Sequence, residues 1–393
     1  MQPDSIFLVV VLFLLAGASV YATVRFASIV VKLLTGVLAL VLAAVSGITM
    51  VNIYYGYYQT WSQLSGDLNN SYTQFDTPPP AGGKNTAVST GHGRLQPVLL
   101  KGGSSGISRS GFVYLPPQYF QAKYAHTRFP VLELLHGSPG TPNNWVQQIN
   151  ITSIMDQLIE QHLVGPMVIV MPAMNAGNKY QECTNAPGAL DDTYISQDVP
   201  TDVRAAFRVS NLPAEWGIGG YSSGGYCAAN LALRHRLSYG AAGIMDGYFR
   251  PTDGPAAGAL HFNKQLENSN NPLLAAQRLR PGATPLPAFW VSAGTVDAKY
   301  ALGARAFVKA LSGIEAVDFT SQPGQGHNYY AWRSAMPRML VWMWPQIAPP
   351  SLRVNFPIAG PVTNKILLGP RAPHRKTPTH RPTSTPPHSG HTP

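Results

Sequence analysis

Two stretches near the amino terminus constrain this chain more than anything that follows them. Residues 6–24, IFLVVVLFLLAGASVYATV, carry no charge, and neither do residues 33–53, LLTGVLALVLAAVSGITMVNI. Each is close to the ~20 apolar residues that cross a hydrocarbon core. A lipid interior offers no water to backbone N–H and C=O groups, so such a stretch has to be helical. The connection between them holds Arg25 and Lys32. The outer flanks hold only Asp4 on one side and YYGYYQTW (54–61) on the other. Basic residues favour the cytoplasmic side, which predicts a two-pass hairpin with both of its ends outside the cytoplasm. Tyr54, Tyr55, Tyr57, Tyr58 and Trp61 then form an aromatic belt at the outer interface. A signal peptide is the competing reading, because VYA at 20–22 resembles a cleavage site, but the first stretch lacks a basic n-region. Both readings deliver the remaining chain outside the cytoplasm.

The rest divides by composition. Residues 62–95 are polar and rich in Gly, Pro, Ser and Asn, with TPPPAGG at 77–83, and read as a flexible linker after a hairpin at 1–61. Over 96–346, short apolar runs alternate with helical patterns. LQPVLLK and SGFVYLPP open as strands. FPVLELLHG (129–137), PMVIVMPAM (166–174), WGIGGYS (216–222), YGAAGIMDGY (239–248) and AFWVSAG (288–294) are nearly continuous apolar runs, as in strands covered on both faces. Helical stretches such as 151–163 and 299–313 lie between them. The alternation predicts an α/β domain with a mainly parallel sheet and helices on both faces. Residues 347–393 are rich in Pro, Thr and His and read as a disordered tail. The net charge of +10 does not point to nucleic acid. The last acidic residue is Asp318, and eight Arg and Lys residues follow it. Much of the excess is therefore a basic tail, suited to anionic cell-envelope polymers, not a basic stripe on a folded face.

Within the domain, Gly220-Tyr221-Ser222-Ser223-Gly224 fits G-x-S-x-G, a strand-to-helix turn that exposes a nucleophilic serine. The glycine spacing selects Ser222 over Ser223. Such a turn predicts an acid and then a histidine further along the chain. His327 lies in a glycine-rich loop, SQPGQGHNYYAW, after the last strand. His235 falls on the helix after the nucleophile, and His261 precedes the favoured acid. That acid is Asp297, just past AFWVSAG. Asp246, which ends GIMD, is the runner-up. Asp253 and Glu267 fall in a polar insertion (247–286) that reads either as a cap or as a surface excursion. Glu315 and Asp318 flank or lie within the strand EAVDFT. His327 is expected to accept the Ser222 proton, with Asp297 fixing its tautomer. The oxyanion would be held by the backbone N–H groups of Ser223 and of Ser138, since neighbouring Pro139 has none.

PVLELLHGSPG, NNW (143–145), MVIVMP, TYISQDVP (193–200), GIGGYSSGGY, VSAGTVD and GHNYYAW occur in an order that resembles the esterase-D and antigen-85-like branch of the α/β hydrolases. That branch includes S-formylglutathione hydrolases, enterochelin and feruloyl esterases and the secreted mycolyltransferases, and membrane-anchored members occur in actinobacteria. The resemblance spans roughly residues 95–346. It implies the α/β-hydrolase fold, the Ser222–Asp297–His327 triad, and oxyanion donors at Ser138 and Ser223. Where the mycolyltransferases carry an acidic and a basic residue that grip the sugar, this chain has His136 and Pro139, which weighs against trehalose as acceptor. The expectation is a membrane-embedded serine ester hydrolase, without cofactor, acting on a small-molecule or lipid ester. Transfer to an alcohol and a catalytically silent scaffold are the alternatives. Cys183 and Cys227 either pair outside the cytoplasm, bracing the nucleophile turn, or stand as unrelated small hydrophobes. Neither has metal-ligand spacing, and the scattered histidines form no compact site.

Overall fold

The computed structural model describes residues 1–68, 92–174, 182–186, 188–251, 260, 263–282 and 285–356. Two antiparallel helices open it, α1 (Ile6–Arg25) and α2 (Ile29–Tyr55), both long and apolar enough to cross a membrane. Leu14, Leu33, Leu40 and Ile48 point outward and are exposed, as in helices whose surroundings are themselves apolar. Between the helices lie small side chains, among them Ala16, Ser19, Ala39, Ser46 and Thr49, which lets the backbones approach closely. Their hydroxyls are satisfied locally: Ser19 donates to Leu15 O, Ser46 to Leu42 O and Thr49 to Val45 O. Thr23 and Thr35 hydroxyls meet across the pair at 2.7 Å.

A short helix, α3 (Trp61–Leu68), follows within the span expected to be linker. Gln63 caps it by accepting from the N–H groups of Gln59 and Thr60. Residues 69–91 of that span lie outside the described residues. The domain then runs β1 (Arg94–Lys101), β2 (Ser108–Leu115), β3 (Val131–Leu135), β4 (Val168–Pro172), a small ribbon of β5 (Asn185–Ala186) and β6 (Ala189–Leu190), β7 (Trp216–Tyr221), β8 (Ala241–Met245), β9 (Ala288–Gly294) and β10 (Val317–Gln322). Eight of these form one sheet in the order β1-β2-β4-β3-β7-β8-β9-β10. β2 is antiparallel to both neighbours, and all pairs from β4 to β10 are parallel. Every residue of β3, β4, β7 and β8 is buried, which is why those segments read as unbroken apolar runs. The chain winds outward from β3 to β4 and returns across β3 to β7. The crevice of such a sheet opens beyond the carboxyl ends of its strands, where the winding reverses.

The folded part outruns the expected boundary at 346. The helix Tyr329–Ile347 is followed by a helix Pro350–Asn355. Leu352 in that second helix is buried, so an apolar side chain holds the start of the proline-rich segment to the domain. The rest of the tail, 357–393, lies outside the described residues. In the insertion 247–286, the described helices Lys264–Ser269 and Pro272–Gln277 sit against the helix Ser223–Arg234. There Tyr226 OH donates to Asn270 O and Asn230 Nδ2 to Asn270 Oδ1.

Candidate active site

Ser222 joins β7 to the helix Ser223–Arg234 with φ 55° and ψ −122°, a backbone conformation that L-residues rarely adopt. Two glycines permit it. A Cβ on Gly220 would run into the backbone of Gly224, and one on Gly224 into the carbonyl of Leu135 at the end of β3. The G-x-S-x-G spacing thus reflects how closely β3, β7 and the helix pass. Ser222 N–H donates to Met245 O on β8, and its own carbonyl accepts from Tyr226 N–H, both at 3.0 Å. The hydroxyl lies beside the positive end of the helix.

His327 arrives from the loop after β10, with its Nε2 2.9 Å from Ser222 Oγ. Rings hold it: Tyr300 stacks at 3.8 Å between centroids, and Trp332 meets it edge-on at 5.0 Å. Burial lowers the imidazole pKa to about 4, with the Asp297 charge acting in the opposite direction and Lys299 in the same one. The ring is therefore neutral at pH 7 and able to accept a proton. Its Nδ1 is buried and has no hydrogen-bond partner among the described residues.

The two candidate acids are placed differently. Asp297 begins the helix Ala298–Leu311 and caps it, accepting from Lys299 N–H at 3.2 Å. Its carboxylate makes no hydrogen bond to His327, so the structure brings the serine and histidine together and leaves the expected acid at the rim. Asp246 is buried at the end of β8 with φ 45°. Its carboxylate accepts from Gly294 N–H at 2.7 Å and from Trp332 Nε1–H at 3.0 Å. Burial pushes its pKa up to about 6. Asp246 thus grips the end of β9 and the tryptophan against which His327 rests, and both its oxygens are engaged.

Ser138, one proposed oxyanion donor, lies on the β3 loop. A Cβ on the neighbouring Gly137 would come within 3.3 Å of the Ser222 Cβ, so this loop passes directly over the nucleophile. His136 braces it: Nε2 accepts from Met174 N–H at 3.1 Å, which leaves the proton on Nδ1 to donate to Gly137 O at 2.8 Å. Ser223, the other proposed donor, is the first residue of the helix.

Ser222, His327, Gly137 and Ser138 line a cavity of about 430 Å³ whose other walls are aromatic: Tyr221, Tyr300, Tyr329 and Trp332. Part of the lining comes from outside the domain altogether, from Val51 and Tyr55 of α2 and from Tyr57 beyond it. The Tyr57 ring lies 5.2 Å from that of Tyr329. Gly56 ends α2 in the left-handed region (φ 66°), where a Cβ would sit 2.6 Å from the Tyr330 ring. Sequence reasoning read these tyrosines only as a membrane-interface belt. The signal that pairs them with the site is the second aromatic cluster, HNYYAW, at the histidine loop. Cys183 and Cys227 form a disulfide that ties the 182–186 segment to the nucleophile helix. The far end of that helix is held by Asp192, which pairs with Arg234 at 3.0 Å and His235 at 2.5 Å. Among the described residues no group of three His, Cys, Asp or Glu side chains converges as a metal site would require.

A family model described as "Putative esterase" matches residues 104–343. An uncharacterized protein of Corynebacterium glutamicum is 27% identical over 320 residues, covering 77% of this chain and 74% of its own. Among solved structures, a ferulic acid esterase superposes with a TM-score of 0.57 at 22% identity, over 65% of this chain and 99% of its own. An S-formylglutathione hydrolase of Agrobacterium tumefaciens gives 0.55 at 18%, over 70% and 100%. At these identities the two structures establish a shared α/β-hydrolase fold.

Proposed function

The chain belongs to this esterase family of α/β hydrolases, and from that premise we propose that it is a membrane-anchored serine esterase that works through an acyl-enzyme on Ser222. The observation that carries the reading is the 2.9 Å approach of His327 Nε2 to Ser222 Oγ, beneath the loop that bears Ser138. The half-buried, neutral imidazole takes the hydroxyl proton as Oγ attacks the ester carbonyl. Charge developing on the carbonyl oxygen meets the N–H groups of Ser223 and Ser138 at a helix amino terminus. Collapse expels the alcohol, protonated by His327, and leaves the acyl group on Oγ. Water, activated by the same imidazole, then frees the acid.

Proton uptake at Nε2 gives an imidazolium whose Nδ1–H is buried, and that group needs an acceptor. Asp297 is the carboxylate whose charge favours the protonated ring. We assign it the acid role, reached by turning from its helix-capping position to Nδ1 when the imidazolium forms. The exposed apolar surface of α1 and α2 supports anchoring, and Arg25 at the end of α1 and Lys32 in the first turn of α2 support a catalytic domain outside the cytoplasm.

The test is ester turnover by the full chain in lipid vesicles. Wild type should hydrolyse a 4-methylumbelliferyl ester, and Ser222→Ala should lower kcat/KM by about 10⁴-fold or more. Equal turnover by the two would remove Ser222 as nucleophile. If an added alcohol captured the acyl group in preference to water, the second half-reaction would be transfer.

A further inference from the structure

The second membrane helix supplies part of the wall around the nucleophile, and this fixes the depth at which the ester must be presented. α2 has 27 residues, about 40 Å of helix against a hydrocarbon core of ~30 Å. With charged Lys32 holding the first turn at one membrane surface, the last turn stands at the other, where the tyrosine-rich segment begins. Val51 lies one turn, roughly 6 Å, deeper than Tyr55, within the uncharged stretch. Val51, Tyr55 and Tyr57 line the same cavity as Ser222 and His327. One continuous wall thus runs from the edge of the apolar layer to the reactive hydroxyl.

The junction is built, not incidental. Tyr330 OH donates to Asp4 at 3.2 Å, Gln63 Nε2 donates to Gln147 O at 2.7 Å, and Trp61 Nε1 donates to Met1 O at 2.7 Å. Buried Asn52 closes the end of the hairpin by donating to Pro3 O and Tyr58 O and accepting from Tyr58 N–H. Asp4, Gly56, Tyr57 and Gln63 all meet the catalytic domain. The family match begins at residue 104, so this wall lies outside the part that carries the esterase fold.

Resting on the serine-esterase reading above, we infer that the substrate is a long-chain acyl ester resident in the membrane, which reaches Ser222 without leaving the bilayer. Its ester group sits at the level of Tyr55 and Tyr57, and its acyl chain extends past Val51 toward the apolar layer. The chemistry favours this. Drawing a long acyl chain into water exposes every methylene, and a site that opens at the membrane surface avoids that step.

The experiment uses the full chain in phosphatidylcholine vesicles with two probes, the butyrate and palmitate esters of 4-methylumbelliferone. Val51→Trp, which narrows the wall, should lower the ratio of palmitate to butyrate kcat/KM by about tenfold or more, and Val51→Ala should not lower it. A ratio unchanged within about twofold in Val51→Trp would overturn the inference. A second measurement does not depend on that variant folding. A long-chain alkyl fluorophosphonate with a photoreactive group at its chain end is bound to wild type and irradiated. Cross-links to α2 near Val51 are expected, whereas cross-links confined to residues 92–356 would overturn the membrane path. If neither ester is turned over and no fluorophosphonate adduct forms on wild type, the serine-esterase reading itself has failed. Butyrate turnover with an adduct on Ser222, but no α2 cross-link, leaves that reading standing and sinks only this one.

Discussion

Ser222 and His327 are tied to each other by backbone geometry and ring packing, while the third member depends on which way one carboxylate turns. The proximity of the pair was legible in the sequence, through glycine spacing and through a histidine loop placed after the last strand. For the acid the sequence favours Asp297 over Asp246, but both follow strands, and what separates them is side-chain partners that only the folded chain displays. Two substitutions separate them. Asp297→Asn should lower kcat/KM by about 100-fold or more, since the imidazolium loses its counter-charge. Asp246→Asn places an amide N–H₂ against either the Gly294 N–H or the Trp332 Nε1–H. It should cost about 1–3 kcal/mol of stability in chemical unfolding and reduce turnover far less. The reverse ranking would make Asp246 the acid. The pH profile adds a second check. Burial lowers the His327 pKa from 6.5 to about 4, and the base works only when neutral. The acid limb of kcat/KM should therefore be centred near pH 4, with a plateau through pH 7, whereas a limb at 6.5 would mean a solvated ring.

At the scale of elements, the sheet was readable because its central strands are buried on both faces and so print unbroken apolar runs. Less legible were α3 and the helix Pro350–Asn355, where local composition resembles linker. α3 is held by Gln63 as its cap and the later helix by Leu352 in the core, both contacts that only the folded chain reveals. The pairing of Cys183 with Cys227 was likewise open, since two cysteines fix no geometry by themselves. In the structure the bond closes a loop with a sequence separation of 44. Closing a loop of that length restricts the unfolded chain by about 4 kcal/mol on the chain-entropy account. A Cys183→Ala/Cys227→Ala variant should lose about 3–4 kcal/mol in urea unfolding and leave the fold's spectrum intact. A loss below about 1 kcal/mol would mean the bond does not form or does not constrain the unfolded state.

For the whole molecule, the hairpin and the hydrolase domain meet at the mouth of one cavity, a relation invisible in a linear reading that treats residues 54–61 as an anchor alone. Tyr57 is the clearest case: its position after an apolar helix predicts an interfacial residue, and its ring also lies against Tyr329. The orientation inferred from Arg25 and Lys32 requires the domain to lie outside the cytoplasm. Alkaline phosphatase fused after Ser62 should be active, and a cytoplasm-dependent fluorescent reporter at the same position silent. The opposite pattern would invert the hairpin. The central claim, that Ser222 is the nucleophile, is tested most directly by treating the full chain with a fluorophosphonate and mapping the adduct by peptide mass spectrometry. One adduct on Ser222, abolished in Ser222→Ala and slowed in His327→Ala, is the predicted result. An adduct on another residue, or labelling undiminished in Ser222→Ala, would contradict it.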